Sequence, residues 1–73
     1  MACVKPNGEL TPAALEVLAR LVTPATDQDV AAAVARPVHQ ARAILRELIK
    51  IDLALRDGDL YRITPAGRTR LGG

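Results

Sequence analysis

The stretch TDQDVAAAVARPVHQARAILRELIK, residues 26–50, decides the fold. Thr26 followed by Asp29 is a capping-box pattern, with Asp in place of the usual Glu, and it predicts the start of a helix. The expected inner face of this helix is Val30, Ala33 and Val34. Pro37 suits the first turn of another helix, so we expect two packed helices separated by a short break at about residues 35–36.

The helix that starts at Pro37 and runs to about Lys50 has two faces of different chemistry. The predicted core face is apolar: Val38, Ala41, Leu45, Leu48 and Ile49. The opposite face is mostly basic or polar: His39, Ala43, Arg46, Glu47 and Lys50, with Gln40 and Arg42 at its borders. A helix with this pattern packs one side on a core and leaves the other side to solvent or to a partner.

Beyond residue 52 the hydrophobic period changes from that of a helix to that of a strand, and two short apolar stretches flank a Gly-containing loop. This pattern predicts a β-hairpin. We expect a three-residue loop at 57–59, because that register collects the apolar residues on one face and a slip of one residue would reverse every side chain. The expected pairs are Leu55 with Tyr61 and Leu53 with Ile63.

Helices are also predicted on both sides of this region. Thr11-Pro12 and Thr64-Pro65 each combine a capping residue with a proline suited to the first helical position. The first helix should end at Thr23-Pro24, since the residue before a proline avoids the helical region. Its expected core stripe is Leu15, Leu18, Ala19 and Val22. The sequence therefore predicts three helices, a hairpin and a short final helix, a mainly α architecture with a small β component.

The composition excludes several classes of function. The chain has 73 residues, enough for one domain at 11–73 preceded by an arm at 1–10. A single Cys, Cys3, and a single His exclude an internal disulfide, a thiolate zinc site and a histidine metal cluster. One Tyr, with no Phe or Trp, excludes base stacking as the main grip on single-stranded nucleic acid. No catalytic constellation is present, so we expect no enzyme and no cofactor.

The basic residues are concentrated in the C-terminal half. Residues 1–35 contain two basic and four acidic residues, whereas residues 36–73 contain eight basic and four acidic residues. Such asymmetry favours a surface that faces a polyanion, although solvated arginines would give the same count. The chain has no apolar run long enough to span a membrane, and its first residues lack the apolar stretch of a signal peptide, so we expect a cytoplasmic protein.

Over residues 11–71 the chain resembles the winged helix-turn-helix domains of bacterial and archaeal transcription regulators of the MarR and PadR type. The resemblance lies in the spacing of VAAAV at 30–34 with Ala41, Leu45 and Leu48, in LRELIKIDL at 45–53, and in YRITPAGR at 61–68. Two positions depart from the family, because Ala35 and Asp52 stand where glycine is usual. The predicted wing also carries two acidic residues at its tip, Asp57 and Asp59.

The resemblance implies a small DNA-binding regulator whose third helix reads double-stranded DNA. The early residues of such a helix approach base edges, and residues at its ends and on the wing suit phosphates. The candidate DNA-binding residues are Arg36, His39, Gln40, Arg42, Ala43, Arg46, Lys50 and Arg62. The alternative is a winged-helix module that binds protein and not DNA, which the acidic wing and the Ala-rich surface favour.

A weak homodimer is the further expectation, because one winged helix reads a short site and regulators usually need two half-sites. The candidate surface consists of apolar residues that remain once the core stripes are assigned: Leu10, Ala13, Val17 and Leu71. The same surface could be filled by a different protein.

Overall fold

The computed structural model describes residues 9–72, so the predicted arm and Cys3 fall largely or wholly outside it. The elements are α1 (Pro12–Arg20), α2 (Asp27–Val34), α3 (Val38–Lys50), β1 (Ala54–Asp57), β2 (Leu60–Ile63) and α4 (Pro65–Arg70). The two strands form an antiparallel hairpin. The predicted order of elements and the winged helix-turn-helix fold are confirmed.

Three threonines begin three of the helices, as their sequence context predicts. The side chains of Thr11, Thr26 and Thr64 each accept a hydrogen bond from the backbone N–H three residues later, at 3.1–3.3 Å. At α2 the capping box is complete, because a carboxylate oxygen of Asp29 also accepts the N–H of Thr26 at 3.3 Å. These bonds satisfy backbone donors that the first turn of a helix leaves without partners.

The two positions that depart from glycine both adopt the left-handed conformation. Ala35 ends α2 with φ of 55°, and Asp52 follows α3 with φ of 62°. Asp tolerates this region better than most residues with a side chain, as the sequence analysis expected for Asp52. Ala35 allows the chain to turn from α2 into α3, and the next N–H, that of Arg36, closes the end of α2 on Ala31 at 3.0 Å.

The core stripe of α1 is not the predicted one. Leu18 is buried, but Leu15 and Val22 are 37% and 44% exposed, and Ala19 is exposed. The buried stripe consists of Ala14, Val17, Leu18 and Leu21. Both stripes have helical spacing and differ by a rotation of one residue. The buried one is selected because α1 must pack on α2 and α3 together.

This rotation also removes the predicted dimer surface. Leu10 and Val17 are 6% and 0% exposed and belong to the core, while Ala13 and Leu71 are half-buried against it. The four residues are therefore occupied inside the domain, and the prediction that they form an outer apolar surface was wrong. The exposed apolar side chains in this region are Leu15 and Ala19 of α1 and Val22 of the turn that follows it.

The inner faces of α2 and α3 are rotated by smaller amounts. In α2, Val30 and Ala31 are buried and Ala33, predicted to be inside, is exposed. In α3, Ile49 is 38% exposed although it was expected in the core. The buried residues of α3 are Ala41, Ile44, Leu45 and Leu48. The fully buried side chains Ile44 and Leu48 fix the rotation of α3 and thus decide which of its residues face solvent.

The hairpin register differs from the predicted one by one residue. The pairs are Ala54 with Ile63, Leu55 with Arg62, Arg56 with Tyr61 and Asp57 with Leu60. The loop contains two residues, and its first, Gly58, has φ of 64°, as a type II′ turn requires. The three-residue loop was wrong because Gly58 takes the first of two loop positions, and the resulting register turns the buried pair Ala54 and Ile63 inward. On its other side β2 is held by Ala25, which exchanges two backbone hydrogen bonds of 2.7 and 3.0 Å with Tyr61.

Candidate nucleic-acid interface

The face of α3 opposite the core is exposed along the helix. His39, Arg42, Arg46 and Lys50 are exposed and Ala43 is half-buried, all at helical spacing on one side. The face exists because Ala41, Ile44, Leu45 and Leu48 turn the other side inward. The structure thus brings five of the eight candidate residues onto one surface.

Arg42 is held by a carboxylate from the first turn of α2. Its Nε donates to Oδ2 of Asp27 at 2.6 Å, although 57% of the Arg42 side chain remains exposed. This hydrogen bond holds the pKa of Asp27 below its usual range, helped by the backbone N–H of Gln28, and it raises the pKa of Arg42. Both groups are therefore charged at neutral pH, and the pair fixes one edge of the guanidinium while leaving its terminal nitrogens outside the pair.

Arg36 and Gln40 lie together at the start of α3. An Nη1 hydrogen of Arg36 is donated to Oε1 of Gln40 at 3.5 Å, and both side chains are half-buried. The Nε of Arg36 is buried and has no hydrogen-bond partner among residues 9–72. A buried donor without a partner is costly.

Lys50 and Arg62 have carboxylate neighbours of their own. The Nζ of Lys50 lies 3.6 Å from Glu47, and Nη2 of Arg62 lies 2.8 Å from Asp57. All four side chains are at least 45% exposed, so these pairs add little stability and exchange partners readily. Arg62 is paired with Leu55 across the hairpin, and both lie on the same face of it. Arg56 and Tyr61 lie on the other face, because successive side chains of a strand alternate. The structure therefore does not place Arg62 beside the exposed side chains of α3.

An open cleft of about 320 Å³ separates α3 from the hairpin. It is lined by Asp27, Arg42, Arg46, Ile49, Arg56 and Tyr61. The Cζ of Arg56 lies 5.7 Å from the centre of the Tyr61 ring, and its Nε donates to the carbonyl oxygen of Gly58 at 2.8 Å. These contacts orient the Arg56 guanidinium on the hairpin side of the cleft.

Arg56 and Asp27 also belong to this site, although neither was predicted from the sequence. In the predicted register Leu55 faces Tyr61, which would turn Arg56 away from α3; in the observed register Arg56 takes that place. The sequence of the loop could have indicated the correct register, because a glycine at the first of two loop positions is typical of a type II′ hairpin. Asp27 was identified only as a favourable charge at a helix start, and no local pattern indicates its contact with a residue fifteen positions later.

Among residues 9–72 no three His, Cys, Asp or Glu side chains are grouped so that they could bind a metal ion. None of the described helices combines the length and the apolar character needed to cross a bilayer.

Two solved structures are similar to this chain over most of its length. One is BpsR from Bordetella bronchiseptica, described in a study of how 6-hydroxynicotinic acid regulates its DNA binding, with 26% identity and a TM-score of 0.84. The other is a probable transcriptional regulator from Pseudomonas aeruginosa, with 27% identity and a TM-score of 0.79. No family model and no curated protein matches the chain.

The alignments cover most of this chain and about half of each regulator. They include 92% of the chain and 53% of BpsR, and 85% of the chain and 54% of the Pseudomonas protein. The helices and the two-stranded hairpin agree with this likeness. The chain is a winged helix-turn-helix domain, and the solved proteins that it resembles are bacterial transcriptional regulators rather than enzymes.

Proposed function

We propose that the chain is the DNA-binding domain of a prokaryotic transcriptional regulator and that it reads double-stranded DNA in the cytoplasm with α3. The observation that carries this proposal is the continuous exposed face of α3, with three basic side chains, Arg42, Arg46 and Lys50, opposite a fully buried face. The similarity to BpsR, whose DNA binding is the subject of its structure, supports it. We assign the chain no catalytic role and no cofactor.

The dimensions of α3 suit the major groove. Its 13 residues give a rod about 20 Å long, and the major groove is about 12 Å wide and admits one helix. The early residues of such a helix approach base edges. In this chain those residues are His39, Gln40, Arg42, Ala43 and Arg46.

The chemistry of these side chains sets their roles. Arginine can donate two hydrogen bonds to guanine, and glutamine can bond adenine through both of its polar atoms. Asp27 holds Arg42 by Nε, which leaves the terminal nitrogens of Arg42 for a base edge. Gln40 must give up its 3.5 Å contact with Arg36 to reach a base, and Arg36 then has a free hydrogen for a phosphate.

The remaining candidates suit the DNA backbone. Lys50 lies at the end of α3 and Arg62 on the hairpin, where both can exchange an exposed carboxylate for a phosphate. Such contacts carry no sequence information but fix the position of a protein on the duplex. They also make the affinity depend steeply on salt, because each neutralised phosphate releases counterions.

The test is titration of a labelled generic duplex at several salt concentrations. We expect wild-type binding to weaken as salt rises, and we expect the double variant Arg42→Ala/Arg46→Ala to lose at least about tenfold in affinity. Asp59→Asn is the matched control, since it also changes charge but lies on the wing; it should leave binding equal or slightly tighter. Equal losses from the helix and wing variants would contradict the role of α3.

A second candidate, a protein-interaction module, is favoured by a separate observation. Leu15 and Ala19 of α1, together with Val22 of the turn that follows it, form an exposed apolar stripe, which we call the α1 stripe. Carboxylates also accompany three of the candidate DNA-binding side chains: Arg42, Lys50 and Arg62. The same titration separates the two functions, because absence of salt-dependent binding by the wild-type chain would leave the interaction module as the better explanation.

A further inference from the structure

The cleft between α3 and the hairpin has more positive than negative side chains in its lining. Arg42, Arg46 and Arg56 line it, and Asp27 is the one acidic residue in its lining. That carboxylate is engaged by the Nε of Arg42. Among residues 9–72 neither Arg46 nor Arg56 forms an ion pair. Two guanidinium groups from different elements therefore face one space, both outside ion-pair distance of any carboxylate among residues 9–72; Asp27 attracts Arg56 at longer range, and Asp59 lines the adjoining space.

The Arg56 side chain is oriented before any ligand arrives. Its Nε donates to the carbonyl oxygen of Gly58, and its guanidinium carbon lies over the Tyr61 ring, so neither contact uses its terminal nitrogens as hydrogen-bond donors. Among the described residues no hydrogen bond engages those nitrogens. A planar guanidinium fixed in this way loses little entropy on binding an anion and can present two donors to its oxygens.

The shape of the cleft selects the kind of anion. Small-molecule pockets are enclosed and lined mostly by apolar side chains. This cleft is open, and four of its six lining residues are charged. It fits an anionic group that belongs to a larger, solvent-exposed ligand better than a buried small molecule. A phosphate diester of a nucleic-acid backbone is such a group.

We propose that this cleft holds one backbone phosphate of the bound duplex, clamped between Arg46 of α3 and Arg56 of β1. The inference rests on the proposed function and deepens it. In this arrangement Arg46 contacts the DNA backbone and not a base edge. Arg56 is then an additional residue that contacts DNA. Reading of bases is then left to the earlier residues of α3, from His39 to Ala43. The hairpin takes part in binding through its inner face and not through its acidic tip.

The first test compares the salt dependence of duplex binding in matched arginine variants. Arg56→Ala should weaken binding about tenfold and lower the slope of log K against log salt by about 1, the value for one lost phosphate contact. Arg68→Ala removes the same charge from α4, outside the cleft, and should change the slope much less. Arg56→Lys keeps the charge and should retain most of the slope, which guards against a folding defect in the Ala variant.

The second test distinguishes the DNA backbone from a free anion. Side-chain Nε signals of Arg46 and Arg56 are followed by NMR during addition of duplex and, separately, of inorganic phosphate. We expect saturable shifts of both signals with duplex and only weak, unsaturated shifts with phosphate. Saturation by inorganic phosphate, with duplex affinity unaffected by Arg56→Ala, would overturn the clamp in favour of a free-phosphate site.

Failure of the clamp and failure of the proposed function give different results. If Arg56→Ala and Arg68→Ala bind alike while Arg42→Ala still weakens binding, the clamp is wrong and DNA reading by α3 stands. If the wild-type chain shows no salt-dependent affinity for duplex, both are wrong.

Discussion

Gly67 lies in α4, where this helix passes close to the segment that leads into β1. Because glycine has no side chain, the backbones of the two segments can approach each other. A Cβ at this position would lie 2.6 Å from Cγ1 of Ile63 and would collide with the carbonyl oxygen of Leu53. Side-chain atoms can shift by rotation, but a backbone carbonyl moves only with its chain. The glycine therefore belongs to the packing of the hairpin against α4.

We predict that Gly67→Ala destabilises the domain although alanine is the better helix former. Propensity alone would favour Ala by about 1 kcal/mol, whereas forcing atoms into a packed site costs about 1–3 kcal/mol or more. The backbone collision puts the cost at the upper end, so the net change is a loss of stability. Chemical denaturation measures it. The exposed neighbouring change Ala66→Ser serves as control and should have a small effect; a more stable Gly67→Ala protein would show that α4 can move away.

At the scale of elements, the local sequence determines where the helices start. Which face of each helix is buried depends on the elements that pack against it. The caps at Thr11, Thr26 and Thr64 were predictable because a capping bond joins residues three apart. The left-handed exit at Asp52 was also expected, from the chemistry of Asp. Helix starts and the order of elements follow from such short-range rules, whereas α1 ends at Arg20 and not at the predicted Thr23-Pro24.

The rotation of α1 could not be chosen from its own sequence. Two overlapping apolar stripes, one including Leu15 and the other including Val17, both have helical spacing. The choice is made by α2 and α3, which contact α1 together. The hairpin is likewise tied to a distant residue, since Tyr61 of β2 pairs with Ala25. The face of α3 that carries the candidate site was predictable, but its cleft was not, because the cleft needs the correct register to bring Arg56 inward.

We predict a large difference between two leucine truncations three residues apart in α1. Leu18 is fully buried, so Leu18→Ala removes apolar burial and leaves a cavity, at a cost of about 2–5 kcal/mol. Leu15 is 37% exposed, so Leu15→Ala should cost well under half of that. Both variants change the same side chain in the same helix, so helix propensity cancels. Equal losses in thermal or denaturant unfolding would mean that the predicted stripe, and not the observed one, faces the core.

The whole molecule is small beside the assemblies that read long DNA sites. Its Cα radius of gyration is 10.8 Å and its accessible surface is 4344 Å². It spans about half of each regulator that it resembles. A standard interface buries about 800 Å² on each partner. That would be nearly a fifth of this surface, far more than the partly exposed stripe of Leu15, Ala19 and Val22 can supply.

We therefore predict that the free chain is monomeric at micromolar concentration and that any homodimer forms weakly, through the α1 stripe. The exposed fractions of Leu15 and Val22 are only 37% and 44%, so their burial gains little against the entropy lost on association. Two copies should be found together mainly on a duplex that offers two half-sites about one helical turn apart, where the DNA holds them close. Sedimentation across a wide concentration range, with and without such a duplex, measures this. Leu15→Ser/Val22→Ser should abolish the association seen at high concentration and leave single-site DNA binding intact. A dimer that persists at low micromolar concentration, or one that this double variant does not disturb, would place the dimer contact on another surface.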